Sequence, residues 1–303
     1  VDNGSGILKE DLRLAFERHA TSKLRTAEEL FKISTMGFRG EALASIAAVS
    51  KVKLTSKADS DSNAYSIEVE GGDIGEIKPA AIARGTSIVV KDMFFNAPVR
   101  QKFMKQPKME TSRVSDIVKQ AILANPNVSF RFKADGNSIY FSNGDSKLES
   151  AALSIYGLSS LKQLRKVDYT SLGISVSGFV GVGDLSRGNR QHQNFFVNGR
   201  MMRSQLISKA LEDACHQRVM IGRFPMCILY ITMPYNTVDV NVHPNKWEVR
   251  FLDEKSLREV IFEAIREALT EGLMERVPPE LFFERDANKN IEAKVDALDS
   301  LKA

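Results

Sequence analysis

The chain opens with a carboxylate ahead of a glycine-rich turn: Asp2, then Asn3-Gly4 and, after Ser5, Gly6. A carboxylate at a strand end can accept a hydrogen bond from an exocyclic amine such as that of adenine. Two glycines beside it let backbone approach a flat ring closely. The same residues also read as a plain turn, because Asn-Gly pairs commonly close strands. A second grouping, Thr21, Ser22 and Lys23 in "HATSKL", sets two hydroxyls beside an ammonium and could meet a polyphosphate. It reads equally as a helix N-cap followed by a solvated lysine.

The third grouping is "STMGFRGEALASIAAVS", residues 34–50. Gly37 and Gly40 flank Phe38-Arg39, and Glu41-Ala42-Leu43 begins a helix-forming run at once. A glycine-rich loop entering a helix leaves backbone N–H groups pointing outward at the positive end of the helix dipole, a cradle for phosphate oxygens. Arg39 could add a charge-assisted contact or pair with a carboxylate. An ordinary tight-turn loop is the other reading of these residues.

In "TVDVNVHPNKWEVRF", residues 237–251, Val238, Val240 and Val242 face one side and Asp239, Asn241 and His243 the other. Pro244 cuts the strand and leaves Lys246 at a tip. A lysine on a turn between two strands is a point charge suited to a terminal phosphate, or simply a solubilising residue. His243 reads as a strand-end hydrogen-bonding residue, since none of the four histidines has metal-ligand spacing. Arg100, Lys102, Lys105 and Lys108, and in the second half Arg187, Arg190, Arg200 and Arg203, could contact nucleic-acid phosphates in a salt-sensitive way. They also read as a solvated basic surface. Phe195 and Phe196 read as strand core rather than stacking platforms.

The elements that must hold these residues alternate in type. "DLRLAFERHA" puts Leu12, Ala15 and Phe16 at helical spacing, and "GTSIVVKDMFF" reads as a strand entered through a glycine. "TSRVSDIVKQAILANP" puts Val114, Ile117, Val118, Ala121 and Ile122 on one helix face, stopped by Asn125-Pro126. "VSFRFKADGNSIYFSNG" is a hairpin around Asp135-Gly136-Asn137. A short helix "KLESAALSIYG" restarts the pattern, followed by strands "ISVSGFVGVG" and "QNFFVNGR", helix "SQLISKALEDACHQR" and strands "CILYITMP" and "TVDVNVHP". The last helix carries an apolar stripe of Leu257, Val260, Ile261, Ala264, Ile265 and Ala268.

At 303 residues, with 43% hydrophobic and 26% charged residues, the chain is that of an ordinary globular protein of about two domains. The net charge of +4 permits nucleic acid without demanding it. Cys215 and Cys227, the only cysteines, read as reduced buried thiols. No apolar run approaches a membrane span. A cytoplasmic location is expected, or a nuclear one for a eukaryotic source.

Taken in order, "DNGSGI", "RHATSKL", "GFRGEALASIAAVS", "GTSIVVKDMFFNAPVRQKF", "FFVNGRMM" and "VDVNVHPNKWEVRF" resemble the amino-terminal ATPase region of the MutL family of DNA mismatch-repair proteins, over residues 1 to about 272. The resemblance implies a GHKL-type α/β sandwich with a mixed sheet over 1–148. It further implies a second α/β domain of the ribosomal-protein or topoisomerase transducer type over 149–275, and a linker or tail over 276–303. It implies that Asp2 holds adenine, that Gly4 and Gly6 shape its pocket, and that Thr86 lies on the same side. Thr21, Ser22 and Lys23 would be lid residues. Arg39, Gly40, Glu41, Ala42 and Leu43 would surround the phosphates, and Lys246 would reach the terminal phosphate and so distinguish ATP from ADP.

ATP and magnesium are the implied cofactors. Implied partners are DNA, a mismatch-recognition protein, a repair nuclease or helicase, and a second amino-terminal region in a homodimer or heterodimer. The implied function is an ATP-gated matchmaker or clamp linking mismatch recognition to strand removal. In the family, a glutamate that activates water and an asparagine that binds magnesium precede the point where this sequence starts. The chain is therefore expected to be a fragment with weak nucleotide binding and little hydrolysis, and the alternative function is a DNA-binding or scaffold module without an ATP cycle.

Overall fold

In "KVKLTSK" every second residue turns to one side, and the side carrying Val52, Leu54 and Ser56 is the buried one. That alternation makes the central strand of the first of two compact units, Val1–Glu110. The computed structural model describes residues 1–17, 41–239 and 250–270. Strands β1 (Lys51–Lys57), β2 (Ala64–Glu70), β3 (Asp73–Ile74), β4 (Lys78–Ala80) and β5 (Gly85–Lys91) form one sheet in the order β3-β2-β1-β5, with β4 also on β2. The pairings described in this sheet are all antiparallel.

Val52 faces Val69 and Leu54 faces Ile67 across the β1–β2 register. Leu12 of helix α1 (Asp11–Leu14), the following Phe16, and Ala47 of helix α2 (Ala42–Ala47) close over them. Leu12, Leu54 and Ile67 are fully buried, each stabilising the unit by about 2 kcal/mol relative to exposure. The outer edge of β5 is joined, among the described residues, by an isolated antiparallel bridge from Asp2 to Thr86. Ile88, Val89 and Val90 on the same strand remain about two-fifths exposed. Helix α3 (Pro98–Lys102) follows, with Pro98 at its first position, where a missing N–H costs nothing.

The second unit is Thr111–Ala303. Its elements are the end of α4 (Pro107–Ala124), the hairpin β6 (Ser129–Ala134) and β7 (Asn137–Asn143), and α5 (Leu148–Leu161), broken at Gly157. Then come β8 (Arg165–Ser171), β9 (Ile174–Gly181), β10 (Gln193–Val197), β11 (Arg200–Met202), α6 (Gln205–Cys215), β12 (Met226–Thr232), β13 (Val238–Asp239), β14 (Arg250–Phe251) and α7 (Glu254–Thr270). The main sheet runs β11-β10-β12-β9-β8 and is mixed, β10 lying parallel to β12 and the other neighbours antiparallel.

Both faces of this sheet are covered. Phe195, Val197, Cys227, Leu229 and Ile231 pack under α6 and α7, while Phe196, Met226, Ile228 and Phe179 pack against α4 and α5. Two-sided burial explains why "FFV" and "CILYI" are continuous apolar runs rather than alternating ones. Every residue of the expected α7 stripe is buried, and Leu269 joins it. Cys215 and Cys227 are buried and free. Burial pushes the Cys215 thiol up to about 12 and the Cys227 thiol higher still, which keeps both protonated and unreactive.

The chain passes from the first compact unit to the second at 110/111, and Ile122, Leu123, Phe130 and Tyr140 join Ala151 and Ala152 of α5 in the second unit's core. One reading of the sequence differs from the structure. On α4, Ile122 and Leu123 are buried, but Val114 and Ile117 are 47% and 64% exposed. The expected apolar face therefore packs only toward its C-terminal end. The 276–303 tail lies outside the described residues. Among the described residues no helix is long and apolar enough to cross a membrane.

Candidate nucleotide and polyanion sites

Four residues singled out in the sequence meet in the first unit. The Asp2 N–H donates to the Thr86 carbonyl at 2.8 Å, and the Thr86 N–H returns the bond to the Asp2 carbonyl at 3.2 Å. The Gly4 N–H donates to Asp2 Oδ1 at 2.9 Å, which fixes the carboxylate while leaving it acceptor capacity for a further donor. Asp2 itself is exposed. The hydroxyl oxygens of Thr86 and Ser56 lie 3.0 Å apart, and both residues are buried. Ser56 Oγ also accepts from the Ile7 N–H at 2.8 Å and lies 3.1 Å from the Gly85 carbonyl.

Glycine is required at two points of this cluster. At Gly85 (φ 118°) a Cβ would lie 2.0 Å from the Asp2 carbonyl oxygen, and at Gly6 (φ 72°) one would lie 2.1 Å from that of Lys57. Arg84 closes the side, donating to the Gly4 carbonyl at 3.2 Å while pairing with Asp59 at 2.9 Å. Ser56 and Arg84 had no local signal, and Gly85 had one only as the glycine that enters its strand. They join the cluster through the register that sets Ser56 opposite Thr86 and Lys57 opposite Gly85.

The expected phosphate-side residues are only partly described. Glu41 occupies the position just before α2, with Ala42 and Leu43 in the helix's first turn. Leu43 packs against the core shared by Leu12 and Phe16. Thr21, Ser22, Lys23, Arg39, Gly40 and Lys246 lie outside the described residues. Among the described residues no group of three His, Cys, Asp or Glu side chains could hold a metal ion.

In the second unit a cleft of about 970 Å³ opens beside the N-terminus of α6. Arg190, Arg203 and Lys209 line it over a floor that includes Phe195, Met201 and Leu206. Ser204 caps α6, its Oγ accepting from the Ile207 N–H. Arg190 makes a two-pronged pair with Glu212 at 2.7 and 2.9 Å, and Gln193 Nε2 donates to Glu212 Oε1 at 3.2 Å. Burial pushes the Glu212 carboxyl up, but the bonds from Arg190 and Gln193 outweigh it and hold the group below its ordinary value. Gln193 Oε1 is buried on the wall of this cleft without a hydrogen-bond partner among the described residues.

Of the four arginines expected to meet DNA, the cleft brings together Arg190 and Arg203. Arg187 turns its guanidinium onto the carbonyls of Asp184 and Ser186 at 3.2 and 3.3 Å. Arg200 sits at the β10–β11 turn opposite Val197, outside that lining. Lys209 was not singled out from sequence, where it is one more charge on a helix. Phe195 and Phe196 are buried as core.

Comparisons with known proteins follow the same lines. A family profile described as the C-terminal domain of DNA mismatch repair protein matches residues 152–270. The chain is 41% identical over 283 residues to the DNA mismatch repair protein MutL of Desulforamulus reducens, covering 92% of this chain and 44% of that one. It is also 41% identical over 271 residues to the DNA mismatch repair protein HexB of Streptococcus pneumoniae, covering 89% and 42%. It thus spans less than half the length of these curated relatives. Among solved structures, the ATPase domain of MutL from Aquifex aeolicus, complexed with ADP, superposes with a TM-score of 0.58 at 26% identity, over 86% of this chain and 82% of that one. The N-terminal domain of a DNA repair protein superposes with a TM-score of 0.71 at 23% identity, over 88% and 83%, a likeness of fold.

Proposed function

Because the chain belongs to the MutL family of DNA mismatch-repair proteins, with a GHKL-type α/β fold, we propose that it forms part of an ATP-driven matchmaker that joins mismatch recognition to strand removal. The observation that carries the nucleotide part is the Asp2–Gly4–Thr86–Ser56 cluster. It offers an exposed, oriented carboxylate beside a backbone that glycine keeps open, which fits the amine edge of an adenine ring. ATP bound there would supply the phosphates whose presence or loss switches the protein. The chain's own residues do the recognition: Asp2 accepts a hydrogen bond from the amine, the Gly4 N–H holds Asp2, and the buried Thr86–Ser56 pair fixes the strand end beneath it.

DNA is the proposed macromolecular partner, met through Arg190, Arg203 and Lys209 at the α6 cleft. These three cations beside a helix N-terminus suit phosphates. A mismatch sensor, a repair nuclease or helicase, and pairing of two amino-terminal regions complete the proposal. Since the cleft lies within the second unit, a DNA-binding scaffold without an ATP cycle is the second reading.

Comparison of ATP with inosine triphosphate, which carries an oxo group in place of the adenine amine, tests the first reading. Calorimetric titration should show ATP binding at least about tenfold more tightly, because the oxo group would face the Asp2 carboxylate. Equal affinities would remove Asp2 as the adenine anchor.

A further inference from the structure

The loop between α6 and β12 carries a pair of apolar side chains at its tip, Met220 at 80% and Ile221 at 105% exposure. We propose that this tip is a wedge that enters a base step of duplex DNA, an assignment that rests on the DNA-binding reading of the second unit. The loop is held rather than loose. Its turn is closed by the Arg223 N–H on the Met220 carbonyl at 3.0 Å. Arg223 Nη2 donates to the Ser186 carbonyl at 2.6 Å, and Arg218 Nη1 to the Leu269 carbonyl at 2.5 Å. Arg187 and Phe224 exchange both backbone hydrogen bonds at 2.8 Å. With its stem tied at these points, the pair at the tip is presented outward instead of folding back onto the unit.

What surrounds the tip selects a polyanion. Arg187, Arg218 and Arg223 form its stem, and a guanidinium with five N–H donors that gives one or two to carbonyls keeps others for phosphate. Arg187 contacts the Asp184 backbone carbonyl, and Arg190 engages the Glu212 carboxylate. Arg190 also lies over the Phe224 ring, 4.7 Å from its centroid, and lines the α6 cleft. The stem and the cleft therefore share one residue, Arg190, and in the proposal one DNA backbone spans Arg203, Lys209 and the tip. Apolar side chains flanked by basic ones, inserted between base pairs, are how minor-groove wedges unstack a step and bend DNA.

The test uses the full chain with duplexes carrying 2-aminopurine and end labels for energy transfer. The wild-type chain should raise 2-aminopurine fluorescence and shorten the end-to-end distance. The double variant Met220→Ser, Ile221→Ser, exposed and so without effect on the core, should lose both signals. It should bind about tenfold more weakly, with the salt dependence of binding unchanged. Arg203→Gln with Lys209→Gln should instead reduce the salt slope by roughly one for each phosphate no longer neutralised, keeping the fluorescence signal at saturation. If the cleft variant weakens binding while the serine variant matches wild type in every signal, the wedge is overturned and DNA binding stands. If neither variant changes DNA binding, the DNA reading itself falls. Loss of an acidic protein partner by the serine variant, with DNA signals intact, also overturns the wedge.

Discussion

Ser56 and Thr86 face each other across the β1–β5 pair with hydroxyl oxygens 3.0 Å apart, and Thr86 is bonded through its backbone to Asp2. The exposed carboxylate of the candidate adenine site thus stands on a buried hydroxyl pair one rung below. Positioning and chemistry are separated by a single strand pairing.

This relationship makes Ser56 a support whose loss is felt at the site. Ser56→Ala leaves the Ile7 N–H without its acceptor and should cost about 1–3 kcal/mol in chemical unfolding. Thr86→Val keeps the shape, removes one hydroxyl partner and should cost about 1 kcal/mol. Equal stability of both variants and wild type would show that the pair holds nothing.

Glu212 links the acid sensitivity of the second unit to the cleft. Its folded value lies below the ordinary carboxyl value of 4.5. Its contribution is thus complete above pH 4.5 and is lost as pH falls through the folded value. Glu212→Gln should destabilise the protein by about 1 kcal/mol at pH 7, a modest figure because Arg190 is half exposed. The difference from wild type should shrink below pH 4.5. A difference that grows on acidification would contradict the sign.

His192 works over a higher range. Burial, then Arg187 and Lys119, hold its imidazole below the ordinary 6.5, so the unfolded chain takes up the proton first. Stability should rise with pH from the depressed folded value up to 6.5, and be flat from this group above it. His192→Gln should flatten that part of a urea-melt pH series. An unaltered slope would place the titration elsewhere.

How far these features were legible in the sequence depends on the range of the contacts behind them. Asp2, Gly4, Gly6 and Thr86 were found as motif residues, and the Asp2–Thr86 bridge places Thr86 directly beside Asp2. The α7 stripe could be read because one helix presents one face to one core. The apolar runs of β10 and β12 could be read because both sides of their sheet are covered. Ser56 could not: "KVKLTSK" is a mostly polar strand, and the serine matters only through a register thirty residues away. On α4 the spacing of Val114 and Ile117 is that of a core face, yet nothing in spacing says which turns of a long helix meet a core. Strands β2 and β8 were missed for a related reason. Each buries only part of its residues, leaving a pattern diluted by charge.

Thermal melting with and without saturating magnesium-ATP tests the central claim most directly, since a ligand that binds only the folded chain must raise its midpoint. At about a hundred times the dissociation constant the rise should be on the order of 5 °C. It should be much smaller with inosine triphosphate, and absent in Asp2→Ala, whose replaced side chain is exposed. A cooperative melt whose midpoint ATP does not move, or a rise that Asp2→Ala retains in full, would contradict an adenine site built on Asp2.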